Sequence, residues 1–226
     1  MAERYGLPDD APQRLKALID ALAAEADPPT TVREPAEVVD LHVADSLSGL
    51  EADVLAAARR VADVGSGAGF PGLVLAVALP AAHVDLVESG RRKADVIVRL
   101  AAAAGVENAR AVPSRAEEWA VAEGAEAYDV VTARAVASLA VLAEYAAPLL
   151  CHGGSLVAWK GARDEVEESA GRTAAAALGL EPDEPLRVVP FPAARERHLH
   201  VFRKVAPTPA RFPRRAGMAR KRPLGG

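Results

Sequence analysis

The segment Val61-Ala-Asp-Val-Gly-Ser-Gly-Ala-Gly-Phe-Pro-Gly-Leu, residues 61–73, carries an apolar run into a dense set of glycines. Gly65, Gly67 and Gly69 remove three Cβ atoms from one turn, so the backbone can bend sharply and a ligand can approach it closely. A helix starting after Phe70 would present its unpaired N–H groups to the same space. Strand, glycine turn and helix together predict a small-molecule binding site.

Spacing separates two ligand classes. A dinucleotide site uses G-x-G-x-x-G, whose third glycine lets the helix pack on the strand beside a pyrophosphate. Here the third glycine comes one place early, at Gly69, and Phe70 occupies the dinucleotide position. Asp63 adds a negative charge at the strand end, which repels a pyrophosphate and tolerates a cationic, amine-bearing ligand. Glu88 closes the next apolar run, His83-Val-Asp-Leu-Val-Glu, and its carboxylate can accept both hydroxyls of a ribose. The combination points to S-adenosylmethionine; the plainer alternative is a tight turn with two solvated acids.

The elements that must hold these residues follow from periodicity. Leu15, Leu18, Ile19 and Leu22 recur at helical spacing after Asp10 and Pro12, predicting an amphipathic helix with a capping aspartate. A second helix is expected from about 35 to 50, making residues 1–55 a small helical cap. From 56 to 205, β-branched runs near 60–64, 83–88, 109–113, 128–132 and 154–159 alternate with alanine-rich helical stretches. Such alternation implies βαβ units and a parallel sheet. The last apolar runs, at 186–190 and 198–204, lie too close for a crossover helix and predict an antiparallel hairpin at the sheet edge. The expected fold is therefore α/β: a Rossmann-like, seven-stranded class I methyltransferase sheet with a terminal hairpin. Gly65, Glu88, Pro113 and Thr132 fall at the carboxyl ends of its strands, where such sheets bind ligands.

Composition sets further bounds. Half of the 226 residues are hydrophobic, enough for one full core. The single cysteine, Cys151, excludes an internal disulfide and a multi-cysteine zinc cluster and reads as a small core filler. Apolar runs are too short to span a bilayer, and no signal segment is recognisable, so a cytoplasmic, monomeric protein is expected. The net charge is −4, yet Arg203–Gly226 holds eight Lys or Arg and no acid, leaving −12 on the rest of the chain. An acidic body with a cationic tail over 206–226 predicts contact with a polyanion.

Four separated segments resemble one family in order: His42-Val-Ala-Asp-Ser-Leu, Asp63-Val-Gly-Ser-Gly-Ala-Gly-Phe-Pro-Gly, Arg134-Ala-Val-Ala, and Arg211-Phe-Pro-Arg-Arg-Ala-Gly-Met-Ala-Arg-Lys-Arg-Pro-Leu. The family is that of the bacterial small-subunit ribosomal RNA guanine-N7 methyltransferases, called RsmG or GidB. Arg115-Ala-Glu and Lys160-Gly add to the match. The resemblance implies transfer of a methyl group from S-adenosylmethionine to one guanine of 16S rRNA in the small ribosomal subunit. It also implies that Gly65 and Phe70 line the methionine and adenosine portions of the cofactor, that Ala116 and Glu117 flank the adenine, and that Arg134 completes the site. One departure is that Pro29-Thr30-Thr31-Val32 stands where the family commonly has Asn-Leu-Thr.

On the acceptor side, guanine N7 has a free lone pair and needs no deprotonation. No strict catalytic residue is expected; His42, Asp45 and Arg134 are positioning candidates. His42, Asp45 and Ser46 share a helical face and read either as a hydrogen-bonded cluster holding the cap or as a substrate contact. The His–Asp pairing lacks a second ligand cluster, so no metal is expected. Lys160, Arg134, Arg211, Arg214, Arg215, Arg220, Lys221 and Arg222 are the candidate RNA contacts. Two alternatives stay open: the same fold acting on a protein or small molecule, and a noncatalytic RNA-binding assembly factor. Thr132-Ala-Arg-Ala replaces the Asn/Asp-Pro-Pro-Tyr of amino-nitrogen methyltransferases and argues against that chemistry.

Overall fold

The computed structural model describes residues 1–32 and 34–225. Its N-terminal part runs through α1 (Ala2–Tyr5), α2 (Ala11–Ala24), α3 (Pro35–Val38), a π-helical stretch (Val39–Ala44), α4 (Asp45–Leu47), a 3-10 turn (Ser48–Glu51) and α5 (Asp53–Ala56). α2 buries Leu15, Leu18 and Leu22, as its periodicity requires. Asp10, expected to cap it, is already helical in φ and ψ, makes no cap bond and pairs with Arg14 one turn on. The helix expected over 35–50 is not uniform, because the widened turn at Val39–Ala44 breaks regular α winding. Such π insertions are frequent at functional sites.

Strands and helices then alternate: β1 (Arg60–Val64), α6 (Gly72–Ala78), β2 (His83–Val87), α7 (Arg91–Ala103), β3 (Ala109–Val112), α8 (Ala116–Trp119), β4 (Tyr128–Arg134), α9 (Leu139–Ala146) and β5 (Leu150–Lys160). α10 (Glu165–Leu178), β6 (Leu180–Pro182), β7 (Leu186–Val188), β8 (Arg197–Lys204) and α11 (Met218–Lys221) complete the chain. The sheet order is β3-β2-β1-β4-β5-β8-β6, with β7 also on β8. β1 pairs in parallel with β2 and β4, so the strand order reverses between β1 and β4, and the glycine turn sits at that switch point.

β7 and β8 form the expected antiparallel hairpin, with Leu186 opposite Leu199. The strand count differs from the seven expected: among the described residues the sheet has eight. β6 and β7 pair with successive parts of β8, so they are one edge strand broken across Asp183-Glu184-Pro185. Pro182 and Pro185 lack the N–H of a ladder, which an edge strand tolerates and a central one does not.

Apolar layers cover both faces. One holds Leu15, Leu18, Val74, Ile97 and Leu100 against Val61, Val84 and Leu86. The other holds Leu139, Leu142, Ala174 and Leu178 with Phe212 and Ala219 of the C-terminal segment. Cys151, expected as core filler, is only half buried at the start of β5. No described helix is long and apolar enough to cross a membrane.

Candidate cofactor and acceptor site

The turn after β1 is set by backbone. Gly65, Gly67 and Gly69 take φ of +72°, +57° and +95°, in the left-handed region that side chains with a Cβ disfavour. Space adds to this at Gly65, where a Cβ would lie 2.7 Å from Val136 Cγ2. The Gly65 N–H donates to Val87 O at 2.8 Å and holds the turn to the end of β2. There Glu88, buried, accepts from the Gly67 N–H at 3.1 Å and from the Gly90 N–H at 2.8 Å, one bond to each oxygen. Each oxygen keeps a second lone pair, so the fixed carboxylate can still receive a pair of hydroxyls.

Two expected ligand contacts are corrected. Asp63 faces inward: Oδ1 accepts from the Thr132 hydroxyl at 2.9 Å and Oδ2 from the Gly72 N–H at 3.1 Å. Burial pushes its pKa up to about 6, against which these hydrogen bonds pull. It braces the turn from beneath and lines neither ligand cavity. Gly69 also turns from the cavity, because its missing Cβ would lie 2.6 Å from Leu73 Cδ1.

A cavity of about 440 Å³ opens over the turn, walled by Gly65, Ser66, Gly67, Phe70, Glu88, Lys93 and Arg134 among others. A neighbouring cavity of about 140 Å³ lies against Val87, Ser114, Arg115, Ala116, Glu117 and Tyr145. The two share Gly65, Ser89, Val136 and Arg220. The arrangement fits S-adenosylmethionine: a carboxylate for the ribose, a backbone cradle free of Cβ atoms, and a small recess of mixed lining at Ala116 and Glu117 for the adenine.

Beyond Arg134 and Ala135 lies a third cavity of about 430 Å³, lined by Leu41, His42, Asp45, Trp159, Lys160 and Arg197. His42, Arg134 and Ala135 belong to both this cavity and the one over the glycine turn. Ala135 holds φ +55°, a strained value for a residue with a Cβ and a common mark of functional turns. His42 stacks on Phe70 with ring centroids 4.6 Å apart and planes 11° from parallel. Arg134 NH2 lies 3.4 Å from His42 Nδ1 and requires it to accept, so Nε2–H donates to Thr30 Oγ1 at 2.8 Å. Burial and the Arg134 charge push the His42 pKa down to about 4, so the ring is neutral at neutral pH.

Arg134, expected to complete the cofactor site and to contact RNA, has its anion within the chain: Asp45. Arg134 NH1 donates to Asp45 Oδ2 at 2.8 Å and to Leu41 O at 2.9 Å. Asp45 Oδ1 receives Arg197 Nε at 3.2 Å, and its backbone carbonyl accepts the Trp159 indole N–H at 2.8 Å. One aspartate thus ties together the ends of β4, β5 and β8. Ser46 is buried and donates to His42 O, a purely internal bond. Arg197, the first residue of β8, carried no signal in the sequence, standing in a short charged run, Arg195-Glu196-Arg197, ahead of the apolar one. Lys160 lines this cavity while paired with Glu167 at 2.6 Å.

The C-terminal segment also departs from expectation. Arg214 is no free arm: its Nε donates to Oε1 of the buried Glu144 at 2.7 Å, and NH2 pairs with Oε2 of the same carboxylate. Arg220 donates to Val136 O at 2.9 Å and faces the cofactor cavities. Arg211 lies over the Phe212 ring, while Arg211, Arg215, Arg220, Lys221 and Arg222 are exposed, Arg220 at the open border of the cavities. Among the described residues no cluster of three metal-ligating side chains occurs.

Fold and site define a class I S-adenosylmethionine-dependent methyltransferase. Solved structures share the fold at low identity: cofactor-bound Rv0187 from MTB, with TM-score 0.56 and 19% identity, covers 87% of this chain and 90% of that one. A SAM-dependent O-methyltransferase from Thermotoga maritima gives TM-score 0.54 and 18% identity over 84% of this chain and 71% of that one. Within the class, the model of the family described as "GidB: rRNA small subunit methyltransferase G" matches residues 16–199, and the chain belongs to that family. Ribosomal RNA small subunit methyltransferase G of Rubrobacter xylanophilus is 46% identical over 200 residues, covering 86% of this chain and 76% of the relative. The protein of the same name from Deinococcus radiodurans is 41% identical over 199 residues, covering 86% and 78%.

Proposed function

We propose that this protein transfers a methyl group from S-adenosylmethionine to N7 of one guanine in 16S rRNA. The observation that carries the reading is the shared wall of His42, Arg134 and Ala135 between the cofactor cavity and the third cavity. A donor on the glycine turn and a base beside Trp159 would meet across it. When bound, S-adenosylmethionine supplies a methyl group on a positively charged sulfur, open to attack by a lone pair. Guanine N7 offers that lone pair without losing a proton, so the chain has to orient and exclude water rather than act as a base. Holding two reactants in line is worth about 7–11 kcal/mol in well-oriented systems.

The stacked Phe70 and neutral His42 form a flat surface at the junction. Arg134, Arg197 and Lys160, set against Asp45 and Glu167, leave one net positive charge here for an RNA phosphate, and Asp45 fixes two of the three cations. Residues 1–55 act as the cap that delivers His42 and Asp45 to the catalytic body, 56–205, with 206–226 as the basic tail. Transfer to a free lone pair calls for neither a Lewis acid nor groups from a second subunit, so we read the enzyme as a metal-independent monomer. A ribosomal substrate places it in the cytoplasm.

The test is incubation with labelled S-adenosylmethionine and small subunits, or deproteinised 16S rRNA, lacking the modification, followed by nucleoside analysis. 7-Methylguanosine at one position is expected. Cofactor binding without transfer to either RNA would contradict the assignment and favour another acceptor.

A further inference from the structure

The composition of the C-terminal segment predicts an arm reaching outward for RNA, yet its contacts run inward. Phe212 and Ala219 are buried in the layer that covers one face of the sheet. Arg214 neutralises Glu144, an acid only 1% exposed, which without the arginine would be a buried unpaired charge. The Gly217 N–H donates to Glu117 Oε1 at 2.8 Å, and Arg220 NH2 donates to Val136 O at 2.9 Å. Glu117 and Val136 are both walls of the recess assigned to the adenine, and Arg220 borders that recess and the larger cofactor cavity. The segment is therefore seated on two walls of the recess and anchored in the core by Phe212 and Ala219.

We propose that residues 211–222 form a wall of the S-adenosylmethionine site, with Arg220 covering the adenosine half, so that the tail sets how tightly the cofactor is held. This rests on the cofactor reading given above. With one N–H bonded to Val136 O, the Arg220 guanidinium retains further donors and a planar group at the border of both cavities. A planar cation is suited to cover an aromatic base, which a lysine at the same place would not do. Glu117, pinned by the Gly217 amide, is kept at the rim of the recess. The basic tail then serves the cofactor through Arg220 and leaves only its outward side chains, such as Arg215, for RNA.

The experiment uses the full chain and measures binding of S-adenosylhomocysteine and of 5′-methylthioadenosine, which lacks the amino-acid moiety, by calorimetry. Arg220→Ala is expected to weaken both by about tenfold, or about 1.4 kcal/mol, because both carry the adenosine half. Arg172→Ala removes an equal charge from an exposed position on α10, outside the segment and both cavities, and is expected to change neither by more than twofold. Equal affinities in Arg220→Ala and the unaltered protein would overturn the proposal, as would a loss confined to S-adenosylhomocysteine. If the unaltered protein binds neither ligand, the cofactor reading falls and this inference with it.

Discussion

On its cofactor side the site is walled largely by backbone from one contiguous turn, residues 65–70, with Glu88 from the next strand end. On its acceptor side it is walled by side chains far apart in the chain, from His42 and Asp45 through Arg134 and Trp159 to Arg197. The first wall is rigid because its φ values admit little but glycine. The second is rigid because Asp45 pairs with both Arg134 and Arg197 and its carbonyl accepts from Trp159. A wall of backbone fails through steric intrusion and a wall of paired charges through loss of one partner, so the two sides are separable by mutation.

The largest expected effect is on the first wall. Gly65→Ala places a Cβ 2.7 Å from Val136 Cγ2 at φ +72°. The strain, of order 1–3 kcal/mol, falls where the ligand lies, and calorimetry should show S-adenosylmethionine affinity reduced by about ten- to 100-fold. An unchanged affinity would break the comparison on its cofactor side.

Asp63 gives a pH signature beneath that wall. Its pKa rises from 3.8 unfolded to about 6 folded, so the folded state holds the proton more tightly. The stabilisation from this group is complete below its unfolded pKa and is lost as pH rises through about 6. Asp63→Asn removes that dependence, and its Tm relative to the unaltered protein should climb as pH rises from about 4 to about 7. A Tm difference independent of pH would contradict the buried role.

His42 separates positioning from base catalysis. Its pKa falls from 6.5 to about 4, so the fold loses stability as pH drops through that interval, while the ring stays neutral above it. Single-turnover methyl transfer should be flat from about pH 6.5 to 8.5. A rate that rises with an ionisation inside that range would point to a base the account excludes. The smallest effect belongs to the outward cations: Arg215→Ala should lower the slope of log RNA affinity against log salt by about 0.7–0.9 if it meets one phosphate.

What was legible in the sequence follows the same division. Gly65, Gly67, Phe70 and Glu88 lie at the ends of adjacent strands, and periodicity alone places them together. Asp63 occupied the right segment with the wrong orientation, because alternation along a strand does not tell which end residue turns up to the ligand and which turns under the helix. Arg197 stands 152 residues from Asp45, and no local pattern encodes a pairing at that separation. The tail was legible as charge and not as structure: its cations are obvious, whereas the partners that draw Arg214 and Arg220 inward, Glu144 and Val136 O, lie on other elements. The break between β6 and β7 was signalled by Pro182 and Pro185, but the pairing of both halves with β8 was not.

The most direct test of the two-wall account is Asp45→Asn, which keeps the shape and removes the charge held between Arg134 and Arg197. Cofactor affinity and steady-state methylation of the RNA should be measured on the same preparation. The account predicts S-adenosylmethionine binding within twofold of the unaltered protein and kcat/KM for RNA lower by about ten- to 100-fold, or about 1.4–2.7 kcal/mol. Parallel loss of cofactor binding, or RNA kinetics that do not move, would contradict it.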